Sequence, residues 1–455
     1  MKFSSTILLA IGFVVVYGQN NYVGLSTSQS AGVMSLTLNP AELANMKSKV
    51  DINLFSSDFQ ISNNALNLTP SSIGSFSDDF DSLVRSASVK PVDFRIGIDI
   101  MGPSIAVSIL PKLSVALHSR ARVGIVAQNL DVAFANGILN NSINNGFSLP
   151  YSINNPNLIS TAVAGWSEIG ASGAYEVYRS KKHSLNAGVG FKFLLPGFYA
   201  NTYLNNLNVN LNENSTGDVY IQNSTANVGI VFSGPKDPLN GVFENLIGGI
   251  NGLGLDVGGS YSYLDSSTDK YVFKIGASVT DIGTLAFPFE SNNMRLYNMN
   301  TAGAPGGIVY LKDIKGKDLD DAIQNLEATG AVTALPKDTN MKISLPTAFN
   351  LYGDARIWKF VYCGFQYRAR MNNANDPNAI RIDNYLSIIP RVYTRLFEAY
   401  IPLTFGEIQG TTVGAGFRFG PFFAGSNSFL SAVTSSENKS IDFNFGLRVG
   451  IGNSK

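Results

Sequence analysis

The stretch of sequence that decides the fold stands near the end of the chain and reads IDFNFGLRVGI, residues 441–451. Isoleucine, phenylalanine, leucine and valine occupy every second position, and Asp, Asn, Gly and Arg occupy the positions between them. Successive side chains of a β-strand point to opposite faces, so this stretch predicts a strand with one apolar and one polar face. Its length suits a bilayer crossing, which takes about 9–11 residues in a tilted strand.

The same alternation recurs along the chain. Further runs lie at residues 92–100, 113–122, 185–193, 253–263, 271–280 and 412–419. A soluble β-sandwich or β-helix also alternates, and it remains an alternative. Charges and glycines on the polar faces, with aromatic side chains near strand ends, favour a membrane barrel. We therefore predict an all-β fold, a transmembrane antiparallel β-barrel of about 14 strands over residues 49–455.

Composition narrows the function classes. The 455 residues carry 33 basic and 33 acidic side chains, so no charge excess points to nucleic acid as a partner. Only 15% of the residues are charged against 45% hydrophobic, which is a low charged fraction for a soluble protein. The single Cys363 excludes an internal disulfide and any multi-cysteine metal site.

Residues 1–18 have the pattern of a secretory signal peptide. Lys2 provides the basic start, an apolar run follows, and small residues precede Gln19 at the expected cleavage site. The apolar run is shorter than the roughly 20 residues of a membrane helix. A chain exported without such a helix crosses a membrane only as a closed barrel, so we expect it in the bacterial outer membrane.

Residues 19–48 are rich in small side chains and predict a hatch, or plug, inside the barrel lumen; a disordered terminus is the alternative. A short helix is predicted to seat this plug. Asn39 can cap it, Pro40 suits the first helical position, and Ala41 follows. Glu42 stands three residues after the cap, where its carboxylate can reach back to the Asn39 amide.

Two long inserts interrupt the strand rhythm, at residues 127–165 and 284–340. The second contains a helix candidate that begins at Asp318 and stops at Gly330. Long connections between strands are where barrels carry lids and docking surfaces.

The polar faces supply candidate lumen-facing residues of both signs. A mixed set predicts a web of ion pairs rather than a one-sign selectivity ring. His118, flanked by two arginines on its face, could also act on an anionic group, whereas pairing of the arginines with carboxylates is the simpler interpretation. The candidates are Asp93, Arg95, Asp99, His118, Arg120, Arg122, Arg418 and Arg448.

Motifs for catalysis are scarce in this sequence. It has two histidines and lacks a Gly-x-Ser-x-Gly nucleophile elbow. We therefore expect neither an enzyme nor a cofactor.

Several short motifs carry a family resemblance. The run Asn-Pro-Ala-x-Leu-Ala at 39–44, after a small-residue segment and before a strand, resembles the N-terminal region of the FadL-like superfamily of outer-membrane barrels. That group includes long-chain fatty-acid transporters and the PorV component of type IX secretion. Residues 278–283, 344–347, 364–367 and 420–426 resemble recurring pieces of Bacteroidota barrels, and the whole chain is most similar to an uncharacterised Bacteroidota barrel family of unknown function. The resemblance implies a barrel of about 14 strands with an N-terminal hatch in its lumen.

Two functions are therefore expected. The first is FadL-like passage of small solutes, hydrophobic ones included, through a plugged lumen. The alternative is a non-conducting structural or docking barrel of a cell-surface secretion or assembly machinery, as in PorV. The partners to expect are the lipid bilayer, a small hydrophobic ligand, and secretion or surface-assembly proteins.

Overall fold

The alternating runs form strands in the computed structural model, which describes residues 22–70, 91–131, 149–235, 244–246, 248–266, 270–313 and 319–453. The predicted signal peptide, residues 1–18, lies outside the described residues. So do residues 19–21 of the predicted hatch, 132–148 of the first insert and 314–318 of the second.

Fourteen strands make up the wall within the described residues, counting consecutive pieces that pair with the same neighbours as one strand. Gly102 and Pro103 divide the second strand into two pieces, because proline has no amide hydrogen to donate to a strand ladder. The strands are β1 (Val50–Asn63), β2 (Val92–Met101 and Ser104–Leu110), β3 (Leu113–Leu130), β4 (Tyr151–Asn155 and Ile159–Arg179), β5 (His183–Glu213), β6 (Val219–Gln222, Thr225–Ser233 and Gly252–Leu264), β7 (Tyr271–Ala286, Met294–Asn300 and Ile308–Tyr310), β8 (Val332–Ala334, Lys342–Ser344 and Ala348–Arg356), β9 (Val361–Arg370), β10 (Tyr385–Tyr393), β11 (Phe397–Tyr400 and Leu403–Gly406), β12 (Gly410–Val413 and Ala415–Phe419), β13 (Phe422–Ser426) and β14 (Ser440–Ile451).

Each strand pairs antiparallel with the next, and the last strand pairs with the first. The β14–β1 ladder runs from Ile451 opposite Val50 to Ser440 opposite Ser62. This ladder closes the sheet, so the wall has no unpaired edge, as a spanning sheet requires in lipid. The predicted all-β barrel of about 14 strands is confirmed.

The two ends of the barrel differ. Connections of two to six residues join strands at one end, as at 111–112, 357–360 and 420–421, and β1 begins and β14 ends there too. Most connections at the other end are longer, although the one between β11 and β12 has only three residues. In outer-membrane barrels the short turns face the periplasm and the long loops face outward. We name the two ends the short-turn end and the outer end.

Both inserts lie at the outer end, and both are narrower than the sequence pattern predicts. β3 continues to Leu130 and β4 begins at Tyr151, so the first connection spans only 131–150. β7 continues through Tyr310, which leaves the second connection at 311–331. Asn-rich segments that resemble loops are in fact strand extensions, because cross-strand pairing with long neighbours supplies their hydrogen bonds.

The wall is uneven in height. β5 has 31 residues, whereas β10 has nine. At a rise of about 3.3 Å per residue, β5 has a contour of about 100 Å. The hydrocarbon core of a bilayer is only about 30 Å thick, so the outer parts of β4–β7 stand clear of it. An apolar cluster that includes Ile153, Leu207 and Val209 stabilises this extension.

Helical structure is sparse in the described part of the chain. The α-helices are α1 (Leu319–Thr329), where the sequence predicts a helix, and α2 (Phe429–Thr434). The 3-10 helices are Gly32–Thr37, Pro40–Asn45, Glu244–Leu246, Ser291–Asn293, Thr301–Gly303, Pro305–Gly307 and Leu311–Asp313. Among the residues described, none of the helices has the length and apolar character needed to span a membrane.

Burial along the wall is the reverse of that in a soluble protein. In the first half of β5, Leu185 is 44% exposed and Phe191 is 60% exposed, whereas Asn186 and Lys192 are buried. Charged side chains are almost never buried without partners, so polar groups inside and apolar groups outside indicate a lipid-facing exterior. The barrel is of the outer-membrane type.

One part of the outward face is covered by protein. Ile98 and Val123 stand opposite each other in the β2–β3 ladder. Asp99, the next residue after Ile98, points inward, so Ile98 and Val123 point outward. Both are nevertheless buried. They belong to an apolar cluster that also contains Leu68 and Ala432 from connections at the outer end. Ile98 therefore packs against protein rather than lipid.

Candidate functional site: the barrel interior

The chain before β1 lies inside the barrel. We call residues 22–48 the N-terminal segment. Its side chains Leu25, Met34 and Leu43 are fully buried and pack in one cluster with Met101 of β2 and Phe423 of β13. The segment therefore packs against inward-facing side chains of the wall.

The short helix at 40–45 is the seat of this segment. It is a 3-10 helix, with Asn39 as its cap and Pro40 at its start. The Ala41 amide donates to the Asn39 side-chain oxygen at 2.8 Å, as the sequence predicts. The Asn39 side-chain amide also donates to Tyr352 Oη of β8 at 3.0 Å. Gly188 of β5 makes the close approach possible, because a Cβ there would overlap the Ala41 backbone.

Glu42 has a different partner from the predicted one. Its carboxylate does not reach back to the Asn39 amide; it lies 2.9 Å from Nζ of Lys274 on β7 and accepts from Tyr352 Oη at 2.7 Å. A buried ammonium group without a counterion is costly, so the tertiary ion pair prevails over the local capping bond.

Further polar contacts hold the segment on its other sides. Arg391 of β10 donates to Thr27 Oγ1 at 2.6 Å, and Ser28 donates to Glu398 of β11 at 2.7 Å. On the β1 side, the Val33 amide donates to Asp51 at 2.9 Å. The segment is thus bonded around the circumference by side chains, and it pairs with no strand ladder in the described residues.

A cluster of buried charges lies beside the seat. We call Arg122, Glu168, Lys192, Asp256 and Asp281 the lumenal charge cluster. Asp281 lies 2.9 Å from Arg122 and 2.6 Å from Lys192, while Lys192 lies 2.8 Å from Asp256 and Arg122 lies 3.1 Å from Glu168. Each of the five side chains is 4% exposed or less. Pairing offsets much of the cost of burying these five charges, so the cluster is an ionic web held by its own members.

Asp99, Arg120 and His118 lie near this cluster. Arg120 Nε donates to Asp99 at 2.6 Å. His118 is buried beside Gly170, and its Nδ1 has no hydrogen-bond partner in the described residues. Arg120 and Arg122 on its face are paired with carboxylates, which leaves neither arginine open to a further anion within the described part of the chain.

The other predicted lumen residues lie at the two ends. Arg448 pairs with Asp51, and Arg418 lies 3.5 Å from Glu398, both toward the short-turn end. Arg95 and Asp93 lie toward the outer end.

The outer-end pair joins the wall to a connecting loop. Arg95 lies 2.6 Å from Asp383, and Asp93 accepts from the Asn129 amide at 3.1 Å. Asp383 belongs to the connection between β9 and β10, and burial raises the pKa of its carboxyl above the ordinary value even though Arg95 is adjacent. The Arg95–Asp383 pair therefore holds the loop against the wall.

The sequence analysis did not single out four residues of this site. Lys274, Arg391 and Glu398 contact the N-terminal segment, and Asp281 belongs to the lumenal charge cluster. Lys274 stands at a polar position of an alternating run, so its parity could have identified it. Arg391 and Glu398 stand in short strands with weaker alternation. Asp281 adopts a φ of 59°, outside strand geometry, and no pattern in the sequence predicts its role.

Among the described residues, no group of three or more His, Cys, Asp or Glu side chains is placed to hold a metal ion. Cys363 is a free thiol.

A comparison with protein families matches residues 40–427 to a family of unknown function, DUF5723. The matched residues include the segment's seat and thirteen of the fourteen strands. The chain belongs to this family. No curated protein matches the sequence of this DUF5723 barrel.

Solved barrels resemble this DUF5723 barrel at low identity. A monoaromatic hydrocarbon channel, the TodX deltaS2S3 mutant, is 11% identical, with 96% of this chain and 97% of that chain covered and a TM-score of 0.43. A FadL homologue of Pseudomonas aeruginosa is 10% identical over 90% and 91% of the two chains, with a TM-score of 0.38. The translocator domain of the autotransporter NalP from Neisseria meningitidis is 7% identical over 93% and 97%, with a TM-score of 0.33.

Proposed function

We propose that this protein passes small solutes, hydrophobic ones included, across the outer membrane, with the N-terminal segment as a displaceable plug. The observation that carries the proposal is the attachment of the segment. It packs against the inward face of the wall, yet in the described residues it is held by side-chain hydrogen bonds and ion pairs rather than by a strand ladder. It can therefore move without breaking the wall.

Displacement of the plug needs a source of free energy. Separating the Glu42–Lys274 pair inside the lumen leaves two poorly solvated charges, which is strongly unfavourable. A solute that binds better to the displaced state than to the seated state would supply this energy by shifting the population. The apolar cluster around Met34 and Phe423 offers such a solute an apolar surface once the segment moves.

The second candidate is a non-conducting docking barrel for secretion or surface-assembly proteins. The outer extension of β4–β7 favours it, because this part of the wall stands beyond the bilayer and offers a surface to other proteins. The lumenal charge cluster also favours it, since paired charges fill space that a solute would need.

Permeation measurements separate the two candidates. Proteoliposomes that contain the full mature chain are compared with proteoliposomes that contain a variant lacking residues 20–48. The two readouts are liposome swelling in small uncharged solutes and uptake of an apolar probe. We expect slow permeation through the full chain and faster permeation through the deletion. Heat-modifiable migration on gels serves as the folding control. If neither folded protein conducts and partner proteins copurify in mild detergent, the transport proposal is wrong.

A further inference from the structure

A cavity lies between the N-terminal segment and the short-turn end. It has two adjoining compartments of about 500 and 280 Å³, which share Gln29, Lys47, Tyr393 and Arg395 in their walls. We call the two compartments the vestibule. The larger one falls within the range of small-molecule sites, which is about 300–1,000 Å³.

The vestibule is strongly cationic. Glu42 is the one carboxylate among the described residues that line the larger compartment, and Lys274 neutralises it. Six cationic side chains line the same compartment: Lys47, Arg179, Lys270, Lys274, Lys359 and Arg395.

Three of these cations have no carboxylate partner in the described part of the chain, namely Lys270, Lys359 and Arg395. The one polar contact of the Arg395 side chain there is with Asn453, at 3.4 Å. Arg179, in contrast, pairs with Glu176 at 2.8 Å. Unpaired like charges around a low-dielectric cleft focus a positive potential into it, which raises the local concentration of anions.

One side of the vestibule is aromatic. Tyr271 and Tyr362 meet edge to face with ring centroids 5.9 Å apart, and Tyr362 and Tyr393 do so at 6.0 Å. Leu264 and Phe360 extend this side. The cavity therefore combines a cationic rim with an apolar wall.

We infer that the vestibule binds a small anionic amphiphile, with a carboxylate or phosphate head among Lys270, Lys359 and Arg395 and a short apolar chain against Tyr271, Tyr362 and Tyr393. A bare anion would leave the aromatic wall unused, and an uncharged chain would gain nothing from the positive potential of the three exposed cations. The cavity is too small for a protein domain. The inference deepens the proposed function, because such a ligand would stand on the periplasmic side of the plug.

Equilibrium binding tests the inference on the full mature chain in a non-ionic detergent. The probes are octanoate, octyl phosphate, octanol and inorganic phosphate, measured by isothermal titration calorimetry. The vestibule variant carries Lys270→Gln, Lys359→Gln and Arg395→Gln. The matched control carries Lys112→Gln, Lys181→Gln and Lys182→Gln, which removes the same charge from turns at the same end, outside the vestibule.

We expect octanoate and octyl phosphate to bind saturably, with an affinity that falls about tenfold or more in the vestibule variant and stays within twofold in the control. Added salt should weaken this binding. Octanol binding as tightly as octanoate would overturn the anionic head. Inorganic phosphate binding as tightly as octyl phosphate would overturn the apolar chain. Equal weakening in both variants, or no saturable binding at all, would overturn the site.

This readout is independent of permeation. A barrel that binds octanoate but conducts nothing would contradict the proposed function alone. A barrel that conducts but binds neither anion would contradict the vestibule site alone.

Discussion

At the residue scale, the salt bridge between Glu42 and Lys274 joins the N-terminal segment to the wall. Both side chains are buried, and Tyr352 adds a hydrogen bond to the same carboxylate. Loss of one partner from a buried pair is more damaging than loss of both, because the remaining charge has no counterion.

We predict that Glu42→Gln loosens the N-terminal segment while the wall stays folded. The uncompensated Lys274 ammonium should lower the free energy of local opening by about 3–5 kcal/mol. Hydrogen exchange of the amides of residues 22–48 measures this as lost protection. Glu327→Gln on the exposed face of α1 is the control, and we expect it to change nothing. Equal protection in Glu42→Gln and the unmodified protein would contradict the role assigned to this pair.

The predictability of this site from sequence differs by residue. Asn39 and Pro40 were predictable because capping depends on neighbours in the chain. The partner of Glu42 was not, because Lys274 lies 232 positions away and only the closed barrel brings the two together. Asp281 was hidden for a similar reason, since its role depends on Arg122 and Lys192 from other strands.

At the element scale, the alternation of single strands carried most of the fold prediction. It succeeded for β5 and β14, because a period of two follows from strand geometry alone. It failed at the edges of the inserts, where long neighbours extend β4 and β7 by pairing. It also failed to separate outward positions that face lipid from outward positions that face protein, as Ile98 shows.

A substitution on β14 tests the face assignment. Phe445 points outward and is 37% exposed, whereas Asn444 points inward and is buried. Phe445→Arg should impair assembly by roughly 2–4 kcal/mol if the site lies near the bilayer midplane. Asn444→Ala should be mild, because neither polar atom of the Asn444 side chain has a hydrogen-bond partner in the described residues.

Urea titration of the protein folded into lipid vesicles measures both effects. Equal tolerance at positions 444 and 445 would count against the assignment of the two faces.

At the scale of the whole molecule, the protein is a closed barrel with an apolar exterior, and its N-terminal segment packs against the inward face of the wall. The closing ladder between β1 and β14 removes every edge, and the segment contacts the wall on several sides. Many charges of the interior are paired, and three cations without a carboxylate partner in the described residues line the vestibule at the short-turn end. Membership of DUF5723 assigns no activity, so the function proposed for this chain rests on this arrangement.

The most direct test of this arrangement is a spin-label scan of β5 from position 184 to 193, in a Cys363→Ala background and in lipid vesicles. Collisions with oxygen, which concentrates in lipid, and with a water-soluble nickel chelate are measured at each position. We predict that oxygen collisions peak at positions 185, 187, 189, 191 and 193, and that positions 186 and 190, which face the barrel interior, show few collisions with either reagent. Position 188 is left out of the scan, because a side chain there would overlap the Ala41 backbone. High nickel collisions at the odd positions, or no alternation at all, would contradict the account.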